Sequence, residues 1–316
     1  MPQRNDLPVF LVVAFGLSWL FALPTWMSGG LVNPNTTVVT GLAMMTTPTL
    51  GVLAVWRLHH REVSLRDWAR QSGITLGEHR RHTLALVVAT WFGVPLLAVL
   101  AVAVSAAVGV LTIDLDGLSM FRQMLDQAAG QDIPLDPAIL VIAQLGGAVL
   151  IAPLINAIPA LGEEWGWRGW LLPHLLRLGV WRALLLSGVI WGVWHAPLTL
   201  HGYNYPELGA WAALVFVGFC VIFGALLGWL RLTTGSVWPA VIGHAALNAS
   251  GGVVLLVGDA ADPPNLAIAG ITGIAGWVLL AAVAAIALVV HPIGSASTPP
   301  RERDVQHEIG VADPDG

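Results

Sequence analysis

Eight long apolar stretches constrain the fold of this chain more than any other feature. A helix that crosses a bilayer needs about 20 mostly apolar residues in a row. Such stretches occur at about 7–27, 37–57, 83–111, 139–163, 182–200, 208–230, 237–257 and 266–290, and the fourth continues as an amphipathic segment to Leu176. Only 10% of the 316 residues are charged, whereas a soluble domain carries about 25%. The pattern predicts an all-α, polytopic membrane helix bundle of about eight transmembrane helices.

The chain is predicted to form one integral membrane domain over residues 1–291. The first apolar stretch is long, contains Trp19 and Trp26 and lacks a small-x-small cleavage pattern, so we interpret it as a retained span and not as a signal peptide. We find no internal repeat. Residues 292–316 are polar and rich in Pro, Asp and Arg, which predicts a disordered C-terminal tail.

The arginines predict the orientation in the membrane. All fourteen basic residues are arginine, and with eight spans all but Arg122 fall on one side. Because positively charged loops stay in the cytoplasm, both termini are expected to be cytoplasmic. The second loop alone holds six arginines, a cationic surface suited to anionic lipid headgroups. A basic patch with interleaved aromatic residues, of the kind that binds nucleic acid, is missing from the sequence.

Two adjacent acids, Glu163 and Glu164, interrupt the fourth apolar stretch. Ionisable groups at membrane depth are costly and tend to mark a functional site. Glu164 and Arg168 are four residues apart, so they can pair on one helix face. Glu163 points about 100° away, with Trp167 at four residues, and burial without a cation makes a carboxylate a stronger base. We therefore predict Glu163 as the general base and Glu164 as structural support.

Two histidines lie inside later apolar stretches, His195 in the fifth and His244 in the seventh, and Asn248 follows His244 on the same helix face. Together with Glu163 they can surround one water and one carbonyl, with Asn248 donating to a developing oxyanion. Taken singly, a histidine bonded to a backbone carbonyl or an interhelical His–Asn contact is an equally ordinary interpretation.

Depth adds a condition to this hypothesis. His195 lies about 20 Å into its span and His244 about 10 to 13 Å into its own, at 1.5 Å per residue. The two imidazoles can therefore meet only if the fifth helix is offset or tilted, or begins nearer Leu176.

These residues form three motifs that resemble those of a known family. The motifs are Glu163-Glu164-x-x-x-Arg168, Trp191-x-x-x-His195 and His244-x-x-x-Asn248. Their order and spacing are similar to those of the CAAX proteases and bacteriocin-processing enzymes, the CPBP or Abi family, over about residues 150–255. The second motif of that family usually begins with phenylalanine, so Trp191 is a departure.

The resemblance implies an intramembrane endopeptidase in the cell membrane, with a site open to the cytoplasm and a peptide or lipidated-peptide substrate. It implies that Glu163 activates water, that His195 and His244 assist, and that Asn248 stabilises the oxyanion. Glu164 and Arg168 would hold the first motif in place.

No cofactor is expected, because a glutamate mechanism needs no metal. The alternative is a zinc ion on Glu163, His195 and His244, since a catalytic zinc usually has three protein ligands; only Glu164 would then remain as a base. Two other functions stay open. One is a non-catalytic immunity or partner-binding protein of the same fold, and the other is a transporter with a proton relay, although inverted repeats are not apparent.

Overall fold

The structure, a computed structural model, describes residues 5–31, 34–129 and 136–293. Most of these residues are helical, and they contain isolated β-bridges but no strand. The α-helices are α1 Asp6–Met27, α2 Pro34–His59, α3 Leu65–Gln71, α4 Arg80–Ala107, α5 Ser119–Ala129, α6 Pro137–Leu150, α7 Ala152–Glu164, α8 Leu172–Leu175, α9 Val180–Trp194, α10 Ala196–Thr199, α11 Ala212–Thr234, α12 Trp238–Ser250, α13 Val253–Val257 and α14 Ile274–Val290. A π-helical segment, Trp165–Leu171, joins α7 to α8.

The prediction of an all-α polytopic membrane bundle is confirmed. Five helical segments are long and apolar enough to cross a bilayer, at Asp6–Met27, Asn35–His59, Arg80–Ala107, Pro206–Thr234 and Trp238–Val257. A bent pair, Pro137–Leu150 with Ala152–Leu178, makes up to six. Val180–Trp194 and Ile274–Val290 are apolar but shorter. Each predicted stretch is thus largely helical, while the number eight and the cytoplasmic termini stay predictions.

The fourth stretch is the irregular one, as its prolines suggest. The chain bends by 48° between α6 and α7, where Pro153 occupies the first turn of α7. Proline lacks the backbone N–H that would bond to the preceding turn, so it starts a helix more readily than it continues one. After Glu164 the helix widens into the π-helical segment, a feature that is often found at functional sites.

The bundle packs around a core of large aromatic side chains. Helix α1 packs along α2, α9 along α11, and α12 against both α4 and α7. Trp167, Trp170, Trp191 and Trp194 are each at most 2% exposed. Aromatic rings of this size bury more apolar area than any other side chain, and they surround the segment that carries Glu163.

The bundle has two chemically different ends. At the arginine-rich end, which comprises residues 57–83, 171–182 and 231–237, the backbone N–H of Val237 donates to the carbonyl of Gly73 at 2.9 Å. At the acidic end, which comprises residues 28–31, 108–129, 136, 195–211 and 258–273, the hydroxyl of Tyr205 donates to the carbonyl of Thr272 at 2.6 Å. The predicted disordered tail, 292–316, lies outside the described residues except for its first two.

Candidate active site

Glu164 is the centre of a buried charge network. Its Oε1 accepts a hydrogen bond from Arg168 Nη1 at 2.8 Å, the pair expected from their spacing, and another from His244 Nδ1 at 2.8 Å. Glu164 and Arg168 are fully buried and His244 is 4% exposed. Charge-assisted hydrogen bonds of this length are the strong ones in proteins. The Glu164 carboxylate at the end of α7 therefore links α7 to α12 through its bond to His244, and the Arg168 guanidinium contacts the same oxygen.

Glu163 has a partner that the sequence did not indicate. Its Oε2 accepts a hydrogen bond from the indole N–H of Trp191 at 2.7 Å, and its side chain is almost completely buried. Helix α9 supplies this donor, so the contact depends on how α9 packs against the end of α7. One carboxylate oxygen is thus fixed, and the other is left for a water or a substrate.

Trp191 also contacts the rest of the site through its ring. The guanidinium carbon of Arg168 lies 4.1 Å from the centroid of the Trp191 ring, a cation–π contact. The rings of His195 and His244 meet it edge-on, with centroids at 5.6 and 5.4 Å. The position where the family usually has phenylalanine therefore holds a side chain that touches every ionisable group of the site except Glu164.

The tautomers of both histidines follow from their partners. His195 Nδ1 is 2.9 Å from the carbonyl of Trp191, and a carbonyl only accepts, so Nδ1 carries the proton. His244 Nδ1 donates to Glu164 in the same way. In each neutral imidazole Nε2 is then the acceptor. Both rings are held by one nitrogen and keep the other for chemistry.

A cavity of about 550 Å³ brings the predicted catalytic residues together. Glu163, His195, His244 and Asn248 all line it. Glu163 comes from α7, His195 from the end of α9, and the other two from successive turns of α12. The three distant stretches therefore converge on one space, as the hypothesis required.

Further polar residues that were missed from the sequence line the cavity, among them Asn156, Tyr203 and Asn204. Asn156 lies seven residues before Glu163, two turns back on the same helix face, so a polar residue at that spacing was an available signal. Tyr203 and Asn204 belong to the loop between α10 and α11, and only the tertiary fold brings them in. Burial raises the pKa of the Tyr203 hydroxyl, and the nearby Glu163 carboxylate adds to this, so Tyr203 stays a hydrogen-bond donor.

The helices are offset in the way that the depth condition demands. Val237, just before α12, packs with Ala160 of α7 and lies against Gly169 of the π-helical segment. Helix α9 begins only at Val180, after that segment and α8 have run past the start of α12. His195 is therefore four turns into its helix and His244 about two turns into its own, yet both reach the cavity.

The described residues give no support to the alternative of a metal ion. Among the described residues, no group of three or more His, Cys, Asp and Glu side chains is arranged to hold one. The absence of a cofactor stays a prediction.

Comparison with known proteins identifies the segment that carries the site. Residues 145–250 match the family described as "Type II CAAX prenyl endopeptidase Rce1-like". A curated protein named "CAAX prenyl protease 2", from Methanococcus maripaludis, is 31% identical over 97 residues, which are 29% of this chain and 36% of that protein. The chain thus matches about a third of that relative's length. These matches confirm the resemblance that the three motifs indicated.

Proposed function

We propose that this chain, whose residues 145–250 match the family of Rce1-like type II CAAX prenyl endopeptidases, is an intramembrane endopeptidase that hydrolyses a peptide bond of a membrane-associated substrate. The observation that carries this proposal is the shared cavity, in which Glu163, His195, His244 and Asn248 meet. A buried carboxylate, two imidazoles with free acceptor nitrogens and an amide are the groups that peptide hydrolysis with an activated water requires.

Glu163 acts as the general base. Because Trp191 occupies Oε2, the other oxygen, Oε1, accepts a proton from the attacking water. The water oxygen forms a bond to the peptide carbonyl carbon, and the carbonyl oxygen takes the negative charge. When the C–N bond breaks, the protonated Glu163 gives its proton to the leaving amine. The carboxylate is then restored, and no group is consumed.

Asn248 and the histidines stabilise and orient the reacting groups. Asn248 is exposed to the cavity, where its amide N–H donates to the developing oxyanion; one such donor lowers a barrier by roughly 3 kcal/mol. His195 and His244 present Nε2 as an acceptor that holds the water. Glu164 and Arg168 do not touch the substrate in this scheme, and they act by fixing His244 and Trp191.

The substrate is a peptide with an apolar anchor. The cavity wall combines the polar residues with apolar side chains such as Leu247, Val254 and Leu255. A prenylated tail and a leader peptide both meet this description. The chain resides in the cell membrane, where lipids cover the exposed apolar side chains of its helices.

Replacing Glu163 with Gln separates the possible functions. The substitution keeps the size and the Trp191 hydrogen bond but removes the base, so turnover should fall by roughly 10²–10⁴-fold while the fold persists. Glu207→Gln, an exposed acid of the α10–α11 loop, is the matched control. Mass spectrometry of peptide termini in membranes expressing each variant measures the effect.

Peptide termini that are present with the wild type and with Glu207→Gln, but absent with Glu163→Gln, support the peptidase. Uncleaved precursors that accumulate with Glu163→Gln then identify the substrate. Identical termini with all three chains would refute proteolysis. A phenotype that survives Glu163→Gln would favour the partner-binding protein, and loss of proton coupling would favour the transporter.

A further inference from the structure

The two ends of the bundle carry opposite charge. Six arginines lie on residues 57–81, and Arg177, Arg182 and Arg231 lie at the same end. Two of these segments are in contact, since the guanidinium of Arg231 lies against Gly73. The start of α1 lies at the same end, where His60 Nε2 is bonded to Asp6 at 2.9 Å. The described parts of the acidic end contain seven Asp and Glu residues but only one arginine, Arg122.

This asymmetry identifies the cytoplasmic end. Short loops rich in arginine remain in the cytoplasm, and acidic residues contribute little to orientation. The arginine-rich end is therefore cytoplasmic. The loops of the acidic end, including 195–211 and 258–273, face the other side of the membrane.

The catalytic cavity lies in the half of the bundle that faces the acidic end. Glu163 is level with the middle of α2, since Thr49 donates to the carbonyl of Gly162 at 2.8 Å. The residues of α2 that line the cavity all lie within 38–45. These residues are closer to the acidic end than Thr49 is. Tyr203 and Thr272, in the acidic-end loops, complete its wall.

The site is closed toward the arginine-rich end. Trp167, Arg168, Trp170 and Leu171 follow Glu163 in that direction, and each is at most 2% exposed. Protein interiors are close-packed, with few voids larger than a water molecule. A peptide therefore cannot reach Glu163 from the arginine-rich end without disrupting this packing.

We propose that the catalytic cavity opens to the extracytoplasmic side, and that the chain takes a membrane-anchored peptide whose cleaved segment lies on that side. This reverses the cytoplasmic opening that the family resemblance implied. The substrate part rests on the proposed endopeptidase function, whereas the direction of the opening rests only on the arginines and on the position of the cavity.

The lining of the cavity matches such a peptide. The side chains of Asn156, Tyr203, Asn204 and Asn248 have no hydrogen-bond partner among the described residues. Amides that both donate and accept can pair with the backbone of an extended peptide. Beside them Val38 and Leu42 line the cavity and are 59% and 50% exposed. They give an apolar anchor a route from the lipid.

Cysteine labelling tests the direction of the opening. Cys220 is the only native cysteine and is fully buried, so the folded wild type gives a low background. We would introduce Tyr203→Cys in the cavity, Leu115→Cys at the acidic end and Leu65→Cys at the arginine-rich end; the last two positions are 66% and 42% exposed. A membrane-impermeant maleimide is applied to intact cells and, separately, to permeabilised cells.

We expect Tyr203→Cys and Leu115→Cys to label in intact cells, and Leu65→Cys to label only after permeabilisation. Labelling of Leu65→Cys in intact cells, with the other two protected, would overturn the proposal and restore a cytoplasmic opening. Labelling of Leu115→Cys without Tyr203→Cys would also overturn it, because the cavity would then be closed to that side.

The labelling needs no turnover. Repeating it in the Glu163→Gln background should give the same pattern. A failure of the proposed orientation is thereby distinguished from a failure of the proposed proteolysis, which is measured by the peptide termini.

Discussion

Arg168→Met isolates the contribution of the buried charge network. Methionine fills much of the same space but removes the guanidinium, which bonds to Glu164 at 2.8 Å and stacks 4.1 Å from the Trp191 ring. Arg168 and Glu164 are both fully buried, so water cannot replace the lost contact. Glu164 would keep only His244 as a partner, and its Oε2 has none among the described residues.

The expected cost is large. A charge-assisted hydrogen bond contributes about 1.5–3 kcal/mol, and a desolvated cation–π contact about 2 kcal/mol. Their sum agrees with the roughly 3–5 kcal/mol lost when one partner of a buried ion pair is removed. At about 2–4 °C per kcal/mol, the scale for soluble domains of 150–250 residues, Tm should fall on the order of 10 °C.

Cys220 supplies the assay. A maleimide dye that fluoresces on reaction with a thiol reports unfolding, since Cys220 is buried in α11 until the bundle opens. The matched control is Arg70→Met, which removes an ion pair with Asp67 whose side chains are 57% and 56% exposed. Exposed pairs contribute only about 0–1 kcal/mol, so the Tm of the control should stay close to that of the wild type.

The double variant Glu164→Gln with Arg168→Met gives the refuting result. It removes both charges, so its Tm should fall by less than the sum of the two single losses. If Arg168→Met unfolds at the temperature of the Arg70→Met control, or if the double variant equals the sum, the guanidinium does not stabilise a buried carboxylate and the reasoning is wrong.

Three further predictions follow from single contacts. Trp191→Phe removes the hydrogen bond that fixes Glu163, worth about 1.5–3 kcal/mol, so kcat should fall, by at most roughly 150-fold if the whole bond energy acts in the transition state. Tyr205→Phe removes the bond that ties the α10–α11 loop to the segment before α14, so the free energy of unfolding should fall by about 1 kcal/mol, measured as a lower Tm. A hydrogen bond from Ser119 holds the pKa of Asp114 below its usual range. The ionised carboxylate therefore stabilises the folded state, and this contribution is lost as pH falls below about 5. Asp114→Asn should thus make the decline of Tm between about pH 5 and 3 less steep.

Each of these three predictions has a result that would contradict it. Trp194→Phe is the control for the indole, since Trp194 donates to Thr47 and not to Glu163; equal activity of the two tryptophan variants would show that the bond to Glu163 is unimportant. An unchanged Tm for Tyr205→Phe would mean that the loop is held by other contacts. For Asp114→Asn, a curve of Tm against pH that overlays the wild type would exclude Asp114 as a contributor.

Local spacing predicted much of the site. The Glu164–Arg168 pair and the shared face of His244 and Asn248 follow from the 3.6-residue period of a helix, and all four residues lie within the segment 145–250 that the family model matches. Trp191 was identified only as an aromatic departure from the usual phenylalanine. Its hydrogen bond to Glu163 lies between α9 and α7, and no periodicity within one helix specifies a contact between two.

The sequence by itself determined that this protein is a helical membrane bundle, because uncharged apolar stretches of such length have no other stable environment. It also indicated which polar residues, because they are costly to bury at membrane depth, mark a candidate functional site. Only the tertiary structure decided that His244 bonds to Glu164 while Trp191 bonds to Glu163, and that the cavity faces the acidic end. Those features depend on the axial offsets of α7, α9 and α12, which packing between helices sets and which no single stretch of sequence contains.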